Sequence, residues 1–326
     1  MKVHNLTIDS SQHTLETLAM DYVVELENPI YDCSSIKLVS ARIPTPQLTI
    51  CETNKTFSVD GQDFTLQETN YTNGGDLAQD LGTLLTPTSN VTSVVYDPDT
   101  DALKFSGTSG GFTFEFFSGT NGRDSIDSSN TTPHQVLGFG SKDYTSNVNN
   151  QLETGAINLK GPNSLILRLT VGSDECNQSV YSGTPFYTGH ILLDGSDCVN
   201  VNGADDPIHH HFHTGSIKYI RYIRVQFFYM SHGRLIPYDF RNQEHVLKFE
   251  LVCSTDKLEN MERMVESIDI PEPVVSKNVY RWNMYIVGVI AIGVLLMFLM
   301  KGKPKYPRQI SEWWRTRVGR ASWPVR

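Results

Sequence analysis

The residues best equipped for chemistry lie in one short run, His209-His210-His211-Phe212-His213. In an extended chain side chains alternate, so His209, His211 and His213 share one face. Asp205 and Asp206 lie just before them. Neutral imidazoles with a carboxylate can hold zinc or a similar ion. The surrounding stretch is rich in Gly, Asn and Asp and precedes a strand signal at Ile217, so a solvated or interface loop is the expected reading. No metal and no cofactor is expected. Asp97, Asp99 and Asp101 have the spacing that opens a calcium loop, but the rest of that loop needs Gly at 102 and Glu at 108. This chain has Ala102 and Thr108, which leaves a hairpin turn. There is no Walker loop, H-E-x-x-H or C-x-x-C, and no enzyme is expected.

Five cysteines, 33, 51, 176, 198 and 253, cannot all pair within one chain. The N-terminal stretch MKVHNLTIDSSQHTLETL has no apolar core, so no secretory signal is expected and the thiols are expected to stay mostly reduced. Cys176 and Cys198 bracket one loop region and are the expected pair if oxidation comes later. The sequons at Asn5, Asn54, Asn70, Asn90, Asn130 and Asn177 are then incidental to a chain rich in Asn, Ser and Thr.

Most of these groups sit on a body, residues 1–255, that reads as β. Short apolar runs recur with turn residues between them. They include Asp21–Leu26, a turn at Glu27-Asn28-Pro29, Ser35–Ile43, a hairpin around Asp60-Gly61, Asn90–Tyr96 with Ala102–Phe105, Phe112–Phe117, Leu165–Leu169, Ile217–Met230 and His245–Val252. The expected fold is mainly β, a jelly-roll-type β-sandwich with one or two short helices and a single C-terminal transmembrane helix. One helix is expected over Gly75–Leu85, with Leu77, Leu81 and Leu84 on one face. A second is expected from Asp256 to Ile268, and Pro271-Glu272-Pro273 then makes a stiff spacer, so residues 256–281 form a helix and stalk.

The run Met284–Met300, extended by Trp282 and Asn283, has no charged residue, which marks residues 282–300 as a membrane span. Trp282 and Tyr285 occupy an interfacial position, Gly288, Gly293 and Phe298 lie within the run, and Tyr306, Trp313 and Trp314 form a second aromatic belt. Residues 301–326 are a basic tail carrying Lys301, Lys303, Lys305, Arg308, Arg315 and Arg317. The net charge of −9 argues against nucleic-acid binding by the chain as a whole. It hides a split: from Arg281 onward nine Lys and Arg face one acid, Glu312, for a net of +8, and the preceding residues hold 18 bases and 35 acids, a net of −17. A span this late in the chain is expected to insert after synthesis, leaving the acidic body in the cytosol. The basic flank opposes that orientation. The conflict disappears if the membrane is the inner membrane of a virus particle with the genome behind it.

Three passages carry a resemblance. They are DYVVELENPIYDCSSIKLVSARIPTP (Asp21–Pro46), FTLQETNYTNGGDLAQDLGTLL followed by VVYDPDTDALKFSG and VLGFG, and FFYMSHGRLIPYDFRNQEHVLKFELV (Phe227–Val252). Their order resembles the minor capsid proteins of large icosahedral DNA viruses with an internal membrane, chloroviruses among them. The His run falls outside it. The resemblance implies a structural protein that bridges the outer shell to the internal viral membrane, in the virion between shell and membrane, and in host cytoplasm or host membrane during assembly. It implies major and other minor capsid proteins as partners, and a tail that contacts lipid headgroups or packaged DNA. The alternative is a membrane-anchored recognition module, lectin-like or receptor-binding, which would need an extracytoplasmic body and occupied sequons.

Overall fold

The computed structural model describes residues 1–12, 18–125, 129–171, 174–176, 188–205, 207–212, 215–254, 287 and 289–293. The expected helix at Asp256–Ile268, the proline spacer, most of the apolar run, the basic tail, Asp206 and His213 lie outside them. The chain divides into two units, Met1–Arg263 and Met264–Arg326.

The first unit is mainly β. Its strands are β1 Lys2–Asp9, β2 Asp21–Pro44, β3 Thr56–Val59, β4 Gln62–Thr65, β5 Val91–Asp97, β6 Ala102–Gly107, β7 Thr113–Phe114, β8 Tyr144–Thr145 and β9 Gln151–Ala156. They continue as β10 Ser164–Val171, β11 Asp174–Glu175, β12 Gly189–Leu192, β13 Cys198–Asn202, β14 Ile208–His211, β15 Ile217–Ser231, β16 Arg234–Pro237 and β17 Val246–Cys253. One helix, α1, covers Gly74–Leu85. A large sheet runs β1-β17-β2-β15-β10-β11, with β12 on β10, β13 and β14 on β2, and β16 on β15. Two smaller sheets run β4-β3-β7-β8 and β5-β6-β9. The first strand therefore lies beside the last, Lys2 opposite Cys253.

β2 is the spine of the large sheet. The turn expected at Glu27-Asn28-Pro29 does not form, and the strand runs unbroken from Asp21 to Pro44. Its early half pairs with β15 and its later half with β17, β14 and β13. Proline cannot donate to a ladder and is tolerated at bulges. Here the β15 register jumps from Ile220↔Ile30 to Tyr222↔Glu25, so residues 26–29 bow out against Arg221 and Pro29 owes no ladder bond. The inward residues Tyr22, Ile36, Leu38 and Ile43 join Ile223, Val225, Phe227, Phe249 and Leu251 in one apolar core.

A second core packs α1 against the two smaller sheets, through Leu77, Leu81, Leu85, Phe57, Phe105, Phe114 and Phe116. The hairpin expected at Asp60-Gly61 is present, and both residues take positive φ, 52° and 76°, which a two-residue turn of this hand requires. The strand expected over Phe112–Phe117 shrinks to Thr113–Phe114. Alternation survives, since Phe112, Phe114 and Phe116 are buried, but β7 meets only short partners, so little of the run enters a ladder. α1 begins where Asn73 Oδ1 accepts the Asp76 N–H at 2.9 Å, with Asp76 in its first turn. Changing Asn73 to Ala is expected to lower stability by about 1 kcal/mol, read as a fall in urea midpoint at unchanged slope.

Candidate functional site

The His run is not a loop. Ile208–His211 is strand β14, antiparallel to β2, with His209 opposite Lys37 and His211 opposite Ser35. Loop-like composition misled here because β14 needs only four residues and borrows its apolar face from β2. Alternation turns His210 inward, 3% exposed, edge-on to Phe212 at 5.4 Å. His209 and His211 face outward with ring centroids 4.2 Å apart. Burial, then His211 and Lys37, push the His209 pKa down, and Glu250 acts the other way. A proton on His209 would therefore face the like charge of Lys37. Among the described residues no group of three or more His, Cys, Asp or Glu is placed to hold a metal ion.

The Asp97–Asp101 segment is the expected hairpin turn, between β5 and β6. Its carboxylates are used internally. Asp97 accepts the Asp99 N–H at 3.0 Å and pairs with Lys104, and Asp101 accepts the Tyr96 hydroxyl at 2.7 Å. The Lys104 ammonium, first among the causes, holds the Asp97 carboxyl below the usual range.

The outward face where β2 meets β15 carries a ladder of opposite charges. Arg224 makes a two-pronged bond to Asp21 at 2.8 and 2.7 Å, Arg221 binds Glu25 at 2.9 Å, and Lys218 reaches Asp32 at 2.7 Å. Tyr219, Tyr222 and Val23 stand exposed among them. The exposed pairs, Arg224 with Asp21 and Arg221 with Glu25, contribute about 0–1 kcal/mol each, whereas Asp32 is buried.

Between the two cores lies a polar seam. The Tyr229 and Thr53 hydroxyls meet at 3.0 Å and those of Thr131 and Ser231 at 2.5 Å. His134 and His232 stack at 3.9 Å with planes 16° apart. The Thr132 hydroxyl lies between them, 3.0 Å from His134 Nδ1 and 2.9 Å from His232 Nε2. His134 Nε2 and His232 Nδ1 have no hydrogen-bond partner among the described residues. Burial above all, then nearby Arg234, lowers His134 to about 4. Burial, then His134, Arg234 and Arg123, lowers His232 to about 3. Both rings are therefore neutral in the fold and bind fewer protons than in the unfolded chain, where His titrates near 6.5. Their contribution to stability is complete above about pH 6.5 and is lost as pH falls toward 4. The urea midpoint is expected to drop between pH 7 and pH 4.5, and changing His134 to Gln with His232 to Asn should flatten that drop. Asn suits position 232, whose φ is 54°.

A cavity of about 360 Å³ opens beside this seam, lined by Met20, Cys51, Glu52, Phe240 and Arg241 among others. Asp239 on its wall spends one oxygen on the Arg241 N–H at 2.8 Å. Burial pushes the Cys51 thiol pKa up, so its nucleophilic form is scarce at neutral pH. No base stands in hydrogen-bond range of it on the described residues of this wall; its sulfur meets the Thr53 hydroxyl at 3.2 Å.

The thiols fall elsewhere than the sequence spacing implies. All five are reduced. Cys198 stands opposite Pro44 on β2, and Cys176 acts on Cys33, at the other end of the same stretch. Eleven residues of strand separate Cys33 from Pro44, roughly 35 Å at 3.3 Å per residue, so Cys176 and Cys198 do not form the expected pair. One sequon is closed as well. The Asn54 side chain is 7% exposed, its Nδ2 donating to Thr49 O at 3.0 Å and its Oδ1 accepting the Cys51 N–H at 2.8 Å.

Of the anchor residues named from the sequence, Gly293 is described and is helical, with open space where a Cβ would stand. Trp282, Tyr285, Gly288, Phe298 and the six tail cations lie outside the described residues. Residues 287 and 289–293 are helical. Val287, Val289, Ile290 and Ile292 are exposed by 65, 70, 60 and 60%. At about 100° per residue these four point to all sides of the helix. Among the described residues no helix is long and apolar enough to cross a membrane.

These features define a mainly β protein with two cores and a seam of neutral polar groups between them. No family model and no curated protein matches the sequence. Among solved structures, the chain is similar to the selenomethionine-labelled mavirus penton protein, at 9% identity and a TM-score of 0.35, over 77% of this chain and 99% of that one. It is also similar to a chain of the Sputnik virophage structure, at 10% identity and a TM-score of 0.30, over 76% and 98% of the two chains. The functional reading below is built on this chain's own residues.

Proposed function

We propose that the chain is a structural protein of a virus particle, a minor capsid component that ties the shell to an internal membrane. The jelly-roll-type β body binds the major and other minor capsid proteins, the apolar run enters the bilayer, and the basic tail contacts lipid headgroups or packaged DNA. The observation that carries the reading is the helical stretch at 287 and 289–293, whose Val and Ile side chains stand exposed on every side. A soluble helix hides its apolar residues on one face, whereas one that is apolar all round belongs in a protein interior or in lipid. The flanking charge split supports it: an acidic body before the run and a net +8 from Arg281 onward fit two different surroundings. The body is non-enzymatic on this reading, consistent with carboxylates and hydroxyls engaged in turns and seams. The resemblance of Asp21–Pro46 and Phe227–Val252 to chlorovirus-type minor capsid proteins points to the same role.

The test is fractionation of purified particles. The chain should stay with the particle through a high-salt wash and leave with detergent-stripped membrane, or remain on shell fragments. Its absence from particles, or its release by salt alone, would sink the proposal.

A further inference from the structure

We infer that Cys33 and Cys253 are a built cross-strand disulfide site, closed by thiol–disulfide exchange with a small external disulfide such as oxidised glutathione. The two residues are register partners across β2 and β17 at a bulge, where the register shifts between Val252, opposite Ser35, and Cys253, opposite Cys33. The Ser254 N–H donates to Asp32 O at 2.9 Å, and the Ser34 hydroxyl donates to Val252 O at 2.9 Å. The backbone bond from Ser254 to Asp32 marks a pair that, on that side, does not itself share ladder bonds, while the Ser34 hydroxyl closes the bulged side. In a regular ladder the Cα atoms of such a pair stand about 4.5 Å apart. A disulfide takes Cα separations of about 4.4–6.8 Å. Both side chains face the same way, Cys33 0% and Cys253 2% exposed, and each thiol feels the other: after burial, Cys253 is the next cause raising the Cys33 pKa.

Cys176 is the competitor, since it too acts on Cys33. Its N–H is tied to Leu169 O at 3.1 Å, on β10. Cys33 and Cys253 are already opposed across neighbouring strands.

The exchange balances. One cysteine thiolate attacks a sulfur of the external disulfide and expels one small thiolate. The second cysteine then attacks the mixed disulfide and expels the other. The protein loses two electrons and two protons, and the external disulfide becomes two thiols. Buried thiols with raised pKa react slowly, so exchange proceeds when the end of β17 opens. Once closed, the bond fastens the strand that leads toward the apolar run to the spine of the sheet. A pull from beyond Ser254 would then load a covalent bond instead of peeling a ladder. The inference is independent of whether the body lies beneath a capsid shell.

The experiment uses the full chain, purified reduced in detergent and incubated with oxidised glutathione, natively and while refolding from urea. Non-reducing peptide mapping should join the Cys33 peptide to the Cys253 peptide, with two of the five thiols lost and Tm raised by roughly 5 °C until reductant is added. Cys176→Ser should keep the link, and Cys33→Ser should abolish it. Five surviving thiols after refolding in oxidant, or a dominant link through Cys176, overturns the inference. The wild-type map decides alone if Cys33→Ser fails to fold.

Discussion

Phe114→Ala is expected to destabilise the body by about 3–5 kcal/mol, the usual cost of emptying a large aromatic site in a packed core. Phe114 is 0% exposed. Its ring lies 4.9 Å from Phe105, 5.3 Å from Phe139, 5.6 Å from Phe116, 5.9 Å from Phe112 and 6.0 Å from Phe57. The cavity would open between two short sheets, β4-β3-β7-β8 and β5-β6-β9. Little ladder bonding is available there to resist collapse or opening. Hydrogen exchange should therefore show α1 and β3–β9 losing protection before β2, β15 and β17. Phe117→Ala, in the same run but 42% exposed, should stay within about 0.5 kcal/mol of the parent. Equal losses for the two variants would mean that the second core is not organised around Phe114.

Ile290→Arg is expected to have the largest effect on location. If the run enters lipid, an Arg at its centre costs about 2.5–3.5 kcal/mol on insertion scales, a shift of roughly 100-fold or more between inserted and free chain. Gly288→Leu with Gly293→Leu should leave insertion intact, because Leu favours the bilayer interior. Flotation of the full chain with vesicles reads both. Neutralising Lys301, Lys303 and Lys305 should weaken binding in a salt-dependent manner without releasing the span. An Ile290→Arg variant that floats as well as the parent would remove the membrane from the proposal.

Elements that carry their own signal were legible in the residue order alone. α1 announces itself through Leu77, Leu81 and Leu84 on one face, and the β3–β4 hairpin through Asp60-Gly61. Ile217–Met230 was readable as a strand because its alternation is long. What failed depended on partners far away in sequence. Glu27-Asn28-Pro29 has turn chemistry, yet β15 supplies a bulge that absorbs it. β14 has the composition of a loop and becomes a strand because β2 is there to pair with. The candidate sites divide the same way. The alternation of His209 and His211 follows from local geometry, but the stack of His134 on His232 joins residues about a hundred positions apart, and Cys33 meets Cys253 only through the register of β2 and β17. No periodicity within either segment encodes such a meeting.

The pairing of β1 with β17 bears on when the body can fold. Lys2 waits for Cys253, and Asp9 for Val246. β2 likewise waits for β13, β14, β15 and β17, all of them synthesised more than 150 residues later. The large sheet therefore cannot close until β17 has been made, and most of its edges stay open until that strand emerges. Folds dominated by such distant pairings close slowly. The apolar run from Met284 leaves the ribosome soon after β17, so an unfinished sheet and a newly emerged apolar run coexist for a time. The second core is under no such constraint, since its named strands and α1 lie within residues 56–156. It can form first and hold its share of the chain out of that competition.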